Sequence, residues 1–214
     1  MNIGSRTRLV AAVRTIGFAA VLGAATGSVV GFAAAAHAAG DGMHGDPAAA
    51  APFWRYQQED YDCGEMAVAD VIGQITGHQP SEAEITATAG NVPSVSHPGP
   101  IYRPSKKTKN SDLPVLLGHY GVQANAVHTN LDALERDLDQ GRKVIVGLND
   151  RTIWNKPGDR SEENHFVVVT GIDTRAGVVH LNDSGIRNGR DEQVPVATFQ
   201  AAWGTSDNFA VVTG

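Results

Sequence analysis

The period of the hydrophobic pattern changes near Lys143, which separates a helical part of the chain from a part made of strands. Before Lys143, apolar residues recur every three or four positions, as Leu131, Leu134 and Leu138 do. After it, short runs rich in β-branched residues alternate with turn residues, as strands do. These runs span 144–148, 165–172, 178–181 and 209–212. The order predicts an α+β domain with N-terminal helices packed on a C-terminal antiparallel sheet.

The longest predicted helix runs from Cys63 to Thr76. Asp62 and Glu65 form a pair like a capping box ahead of its apolar residues, and Gly77 ends it. Cys63 is therefore expected at a helix N-terminus.

A second helix and a long loop are expected next. Ser81 and Glu84 repeat the capping pattern for a short helix to about Ala89. Residues 90–110 then hold four prolines and three lysines, which predicts an exposed loop. Its lysines are expected to form a solvated tip.

The first 38 residues have the layout of a secretory signal peptide. Arg6, Arg8 and Arg14 precede an uncharged stretch over 15–38, and Ala36-His37-Ala38 predicts cleavage after Ala38. The alternative is an uncleaved membrane anchor, since about 20 apolar residues span a bilayer. Four glycines in the stretch disfavour the anchor.

Residues 39–52 are predicted to be a flexible leader, because they hold three glycines, two prolines and an alanine run. Residues 53–214 are predicted to be one domain. Removing residues 1–38 takes away three arginines and no acid, so the formal net charge moves from −6 to −9. An acidic domain of this kind argues against nucleic acid as a partner. The histidines lack metal-ligand spacing, so neither a metal nor a cofactor is expected.

Cys63 is the only cysteine of the chain, so it cannot form an internal disulfide. A helix N-terminus and a nearby imidazolium both stabilise a thiolate, the form that acts as a nucleophile. His165 is the candidate imidazole, because it is the first residue of a hydrophobic strand, where a side chain can reach the rim of a cleft.

Two further roles have two candidates each. An imidazole general base needs a group that fixes its tautomer, and the next predicted strand ends in Asn182-Asp183. Strand alternation lets only one of these two face the histidine. The oxyanion hole needs donors; the Cys63 N–H is one, and the side-chain amide of Gln57 or Gln58 is the other.

These residues resemble the papain-like cysteine peptidases of family 39, whose founding members trim double-glycine leaders from bacteriocins, and their stand-alone relatives. The family has a glutamine six residues before the cysteine of an Asp-Cys-Gly motif, as Gln57 and Asp62-Cys63-Gly64 have. Its histidine strand and following aspartate match 165–171 and Asp183. The resemblance covers about residues 53–214, and loop 90–110 matches nothing in it. It implies a papain-like fold with Cys63 as nucleophile, His165 as acid and base, Asp183 as orienting residue and Gln57 in the oxyanion hole.

The expected function is that of a secreted thiol hydrolase, a cysteine peptidase that cleaves peptide or amide bonds through an acyl-enzyme. One alternative keeps the triad but transfers the acyl group to an amine or hydrolyses cell-wall crosslinks. Another is an exported binding module of the same fold without activity. The expected partner is a peptide or protein substrate, met by a monomer that is free or held at the cell envelope. No integral membrane domain is expected after signal cleavage.

Overall fold

The computed structural model describes residue 1 and residues 42–214. Apart from Met1, the predicted signal peptide and its cleavage site lie outside the described residues. Within the described part of the chain, every helix is too short or too polar to cross a lipid bilayer.

Helices dominate the first half of the described chain, as the sequence predicts. The α-helices are α1 Pro47–Ala50, α2 Cys63–Thr76, α3 Glu82–Ala89, α4 Leu113–His119, α5 Leu131–Asp139, α6 Asp150–Ile153 and α7 Val196–Trp203. The predicted bounds of α2 are confirmed, and Gly77 ends it in the left-handed conformation with φ of 75°. Ser81 and Glu84 form the predicted capping box of α3.

One antiparallel sheet holds the strands of the described residues. They are β1 Met43–Gly45, β2 Ala124–His128, β3 Val144–Leu148, β4 His165–Asp173, β5 Val178–Asn182, β6 Glu192–Pro195 and β7 Phe209–Thr213. The order is β2-β7-β3-β4-β5-β6, and β1 pairs with the far end of β4. His165 pairs with Leu148, and Val168 pairs with Asn182, so the start of β4 lies beside the end of β5.

Helices cover both faces of this sheet, which explains why β3 and β7 are buried along their whole length. One core joins α2, α3 and α4 to Ile145 and Phe166, and the other joins α5 and α7 to Val144 and Val146. Alternate residues of a strand thus enter different cores. The α+β prediction is confirmed, and the structure adds a second helical layer, made of α5 and α7, on the other face of the sheet.

The prediction of a flexible leader is wrong for residues 42–52, because they form β1, α1 and a short 3-10 helix. Gly45 pairs with Gly171 at a φ of +84°, where a Cβ would lie 2.6 Å from the Thr170 carbonyl oxygen. Asp46 accepts from the Ala49 N–H at 2.9 Å and caps α1. Glycine, which favours disorder by composition, here permits a close approach of two backbones.

Candidate active site

Cys63 is the first residue of α2, and its residue surface is only 6 % exposed. The first backbone bond of this helix runs from the Met66 N–H to the Asp62 carbonyl at 2.9 Å. The N–H groups of the first turn therefore have no acceptor within the helix and give its start a positive partial charge.

His165, the first residue of β4, meets Asp183 directly after β5. Its Nε2 lies 2.7 Å from Asp183 Oδ1, and both side chains are buried. Cys63 is near enough to affect the pKa of His165, and because Nε2 is committed to the carboxylate, Nδ1 is the ring nitrogen left for the thiol. The structure thus brings together three residues that lie far apart in the sequence.

The Asp183 carboxylate accepts from two further donors besides His165. The Gly185 N–H lies 2.7 Å from Oδ1, and the indole Nε1 of Trp154 lies 3.0 Å from Oδ2. Trp154 also lies against the imidazole, with ring centroids 5.2 Å apart. The backbone is fixed as well, since the Asp183 carbonyl accepts from Trp54 Nε1 at 2.6 Å. Asp183 is therefore held in place as an acceptor for His165.

The electrostatics of the site favour an imidazolium. Burial by itself lowers the pKa of His165, but the charge and hydrogen bond of Asp183 oppose burial, and so does the nearby Cys63. Together they raise the pKa of His165 well above its ordinary value. A protonated imidazole beside the thiol is what a thiolate nucleophile requires.

The structure distinguishes between the two candidates for the group that orients His165. Asp183 bonds the imidazole, whereas Asn182 faces away from it. Asn182 Nδ2 donates to the Ala50 carbonyl at 3.0 Å and to Asp70 Oδ2 at 2.9 Å. Asp70 belongs to α2, two turns beyond Cys63. Asn182 thus ties the helix of the cysteine to the strand end that carries Asp183.

The two glutamine candidates for the oxyanion hole, Gln57 and Gln58, have different surroundings. Gln57 Oε1 accepts from Ser184 Oγ at 2.8 Å, and the Gln57 N–H donates to the Ser184 carbonyl at 3.0 Å, so Gln57 lies next to the Asp183 segment. Its Nε2 donates to the Glu59 carbonyl at 2.9 Å and keeps a second hydrogen for another acceptor. Gln58 instead turns its side chain back to the Tyr56 carbonyl.

A carboxylate of α3 holds the turn that precedes Cys63. Glu82 Oε1 accepts from the N–H groups of Gln58 and Glu59 at 2.7 and 2.9 Å. Tyr61 in this turn is 44 % exposed and has a φ of 77°, which is unfavourable for a bulky side chain. The turn is thus kept in a strained shape by contacts from its neighbours.

Asp62 does not cap α2 as the sequence predicts, because its carboxyl is buried against Glu82 instead. Burial raises the pKa of Asp62 to about 8, and the neighbouring carboxylates of Glu82 and Glu65 raise it further. Both carboxyl oxygens of Asp62 are buried without a hydrogen-bond partner. Glu65 does not complete the capping box either, since it accepts from the hydroxyl of Thr108.

Sequence reasoning missed Trp154, Trp54, Ser184 and Glu82 as supporting residues. Their types and spacing carry no signal, because they come from four segments that meet only in the folded chain. Among residues 42–214, no cluster of three or more histidine, cysteine or acidic side chains is arranged to hold a metal ion.

The free energy of unfolding is expected to be larger near pH 5 than near pH 8. Burial raises the pKa of Asp62 to about 8 and those of Asp70 and Glu192 to about 7, from ordinary values of 3.8, 3.8 and 4.5. Over that window the folded protein keeps protons that the unfolded chain has released, so rising pH favours unfolding. Each such proton changes the stability by about 1.4 kcal/mol per pH unit. The raised pKa of His165 acts in the same direction above about pH 6.5.

Urea unfolding at several pH values measures this effect. Asp70→Asn is expected to reduce the pH dependence, since Asp70 is 4 % exposed and titrates in the window. Asp159→Asn is the control, because hydrogen bonds from Ser161 lower the pKa of Asp159 and move its contribution below about pH 4. A stability that rises from pH 5 to pH 8 would contradict the assignment.

Comparison with known proteins gives one family. The model of the Peptidase C39 like family matches residues 51–211, which include Cys63, His165 and Asp183. An uncharacterized protein of Mycobacterium tuberculosis strain H37Rv is 44 % identical over 232 aligned positions, which cover 97 % of this chain and 98 % of that protein. An uncharacterized protein of Mycobacterium bovis matches with the same identity and coverage.

A solved structure shares the fold. It is a crystal structure described as a C39-like peptidase from Bacillus anthracis, with a TM-score of 0.59 and 17 % sequence identity. The match covers 80 % of this chain and 97 % of that one. At this identity the likeness concerns the arrangement of helices and strands.

Proposed function

The chain belongs to the Peptidase C39 like family, and from this premise we propose that it is an exported cysteine peptidase that cleaves peptide bonds through an acyl-enzyme on Cys63. One observation carries the proposal. The imidazole of His165 lies 2.7 Å from the buried carboxylate of Asp183 and is close enough to the Cys63 thiol at the start of α2 for that thiol to raise the pKa of the imidazole. A nucleophile, a base and an orienting acceptor are the groups that acyl transfer needs.

The first half of the reaction forms the acyl-enzyme. The Cys63 thiolate attacks the carbonyl carbon of the scissile bond, and the developing oxyanion accepts hydrogen bonds from the Cys63 N–H and the Gln57 side-chain amide. The His165 imidazolium then donates the Nδ1 proton to the leaving amine, which departs as the new N-terminus. Asp183 keeps the imidazole oriented and stabilises its charge throughout.

The second half returns the enzyme to its starting state. Neutral His165 takes a proton from water, and the hydroxide attacks the thioester carbonyl through a second oxyanion in the same hole. Collapse of this intermediate restores the thiolate beside the imidazolium and releases the product as a carboxylic acid, which loses its proton to water. The buried surroundings of His165 and Asp183 strengthen their interaction by limiting solvent screening.

Digestion of a proteome-derived peptide library tests the activity. The purified protein is expected to create new peptide termini at defined sequences, which mass spectrometry identifies. Repeating the digestion with an added primary amine distinguishes hydrolysis from transfer, because transfer joins the amine to the new C-terminus. A library that stays uncut and unmodified would contradict both activities.

Export rests on the sequence of residues 1–38 and needs its own test. Cleavage after Ala38 would leave strand β1 intact in the mature chain, since β1 begins at Met43. Expression in the native host is therefore expected to yield protein outside the cytoplasm with Ala39 as its first residue. N-terminal sequencing measures this, and a cytoplasmic protein that retains its arginines would contradict export.

A further inference from the structure

The loop between α3 and α4 carries most of the lysines of the chain. Lys106, Lys107 and Lys109 lie in residues 104–110, which we call the lysine loop, and all three side chains are exposed. The whole chain has a formal net charge of −6. A concentrated positive segment on an acidic protein marks a surface at which charge selects the partner.

One anchor fixes the lysine loop against the nucleophile. Thr108 is 4 % exposed, and its hydroxyl donates to the Glu65 carboxylate in the first turn of α2. A Cβ on Gly64 would lie only 3.2 Å from the Thr108 Cβ. Thr108 therefore packs directly against the residue that follows Cys63.

A second anchor fixes the loop against the strand of the histidine. Asn110 Nδ2 donates to Glu163 Oε2 at 2.9 Å, two residues before His165. Burial raises the pKa of Glu163, and the Asn110 hydrogen bond and the charges of Lys107 and Lys109 partly offset this effect. The lysine loop is thus tied on both sides of the Cys63 and His165 pair.

The anchors place positive charge within reach of a bound substrate. Lys107 and Lys109 are the chain neighbours of Thr108, so their Cα atoms lie about 3.8 Å from its Cα. Screening at physiological salt acts over about 8 Å. On the other side, Lys156 Nζ lies 4.1 Å from the Trp154 ring, which contacts His165.

Negative groups near the lysine loop do not cancel its charge. Glu65 is buried and Glu163 is half-buried, and their carboxylates already accept hydrogen bonds from the Thr108 hydroxyl and the Asn110 side-chain amide. The exposed acids Glu59 and Asp60 lie in the turn before Cys63, which Glu82 holds. Exposed positive charge near the cysteine therefore lies at the lysine loop, and exposed negative charge lies at the turn before Cys63.

We propose that the lysine loop is a specificity surface that binds acidic side chains of the peptide substrate close to the scissile bond. The inference rests on the proposed peptidase activity. Carboxylates of an extended peptide beside Lys107 and Lys109 would form ion pairs at the surface, which salt screens. Such contacts raise the rate of productive binding more than the rate of the chemical step.

Matched peptides test the inference. The best-cleaved library sequence is made with Asp or Glu near the cleavage site and again with Asn or Gln at the same positions. The acidic peptide is expected to have a kcat/KM about tenfold higher at low salt, and high salt is expected to reduce the ratio. Lys107→Gln combined with Lys109→Gln should bring the ratio close to one, mainly by lowering kcat/KM for the acidic peptide.

Arg136→Gln is the control, because Arg136 is an exposed cation on α5, which packs on the opposite face of the sheet. It is expected to leave the ratio unchanged. An equal kcat/KM for both peptides, or a ratio that survives the double lysine variant, would overturn the inference while the peptidase activity stands. Absence of cleavage of every peptide would instead contradict the proposed function.

Discussion

Cys63→Ala is expected to lower kcat/KM for the best-cleaved peptide by at least about 10⁴-fold, because the variant lacks the atom that attacks the carbonyl. Cys63 is small and buried in a cluster with Ala67 and Val68, so alanine occupies its place with little change in packing. Circular dichroism and the melting temperature should therefore stay close to those of the unchanged protein. The measurement is the initial rate of peptide cleavage.

Cys63→Ser is the matched variant for this prediction, since it replaces the thiol with a hydroxyl of similar size, which is a much weaker nucleophile. Its rate is also expected to fall by orders of magnitude. Cleavage by Cys63→Ala at a rate near that of the unchanged protein would contradict a role for the thiol.

Asp183→Asn is expected to lower kcat/KM by about 10² to 10⁴-fold and to destabilise the protein by about 1–3 kcal/mol. Three donors converge on the two carboxylate oxygens, from His165, Gly185 and Trp154. An amide offers only one accepting oxygen, so its NH2 group must face a donor. The imidazole then loses its orientation or its favoured tautomer. Initial rates and urea unfolding measure the two effects.

The chain offers a matched control in a second histidine–aspartate pair. His180 Nδ1 lies 2.7 Å from Asp191 Oδ1, the same distance as in the catalytic candidate, but on strand β5. Asp191→Asn removes a similar interaction and is expected to leave the rate unchanged. Equal losses of activity in both variants would indicate a general loss of structure and contradict the specific role of Asp183.

The elements that the sequence predicts well are those whose pattern is local. Helix α2 follows from apolar spacing and Gly77, and β3 to β5 follow from β-branched runs between turns. The N-terminal segment does not, because composition favours disorder there. Its order depends on the contact of Gly45 with Gly171, more than 120 positions along the chain.

The site residues also differ in whether a local sequence pattern is enough to predict them. Cys63 and His165 can be chosen from their positions at the start of a helix and of a strand. Asp183 and Asn182 differ only in which face of β5 each side chain takes, and this depends on register and on the buried partner Asp70. The capping prediction for Asp62 is wrong because burial beside Glu82 outweighs a local hydrogen bond to the helix.

Trapping the acyl-enzyme tests the central claim most directly. The protein is mixed with a peptide ester of the best-cleaved sequence, quenched in acid within the first turnover, and its mass and tryptic fragments are measured. We expect an adduct of the acyl mass on the fragment that contains Cys63, which decays as product appears and forms much more slowly in His165→Ala. Turnover without an adduct on Cys63, or an adduct confined to another residue, would contradict the account.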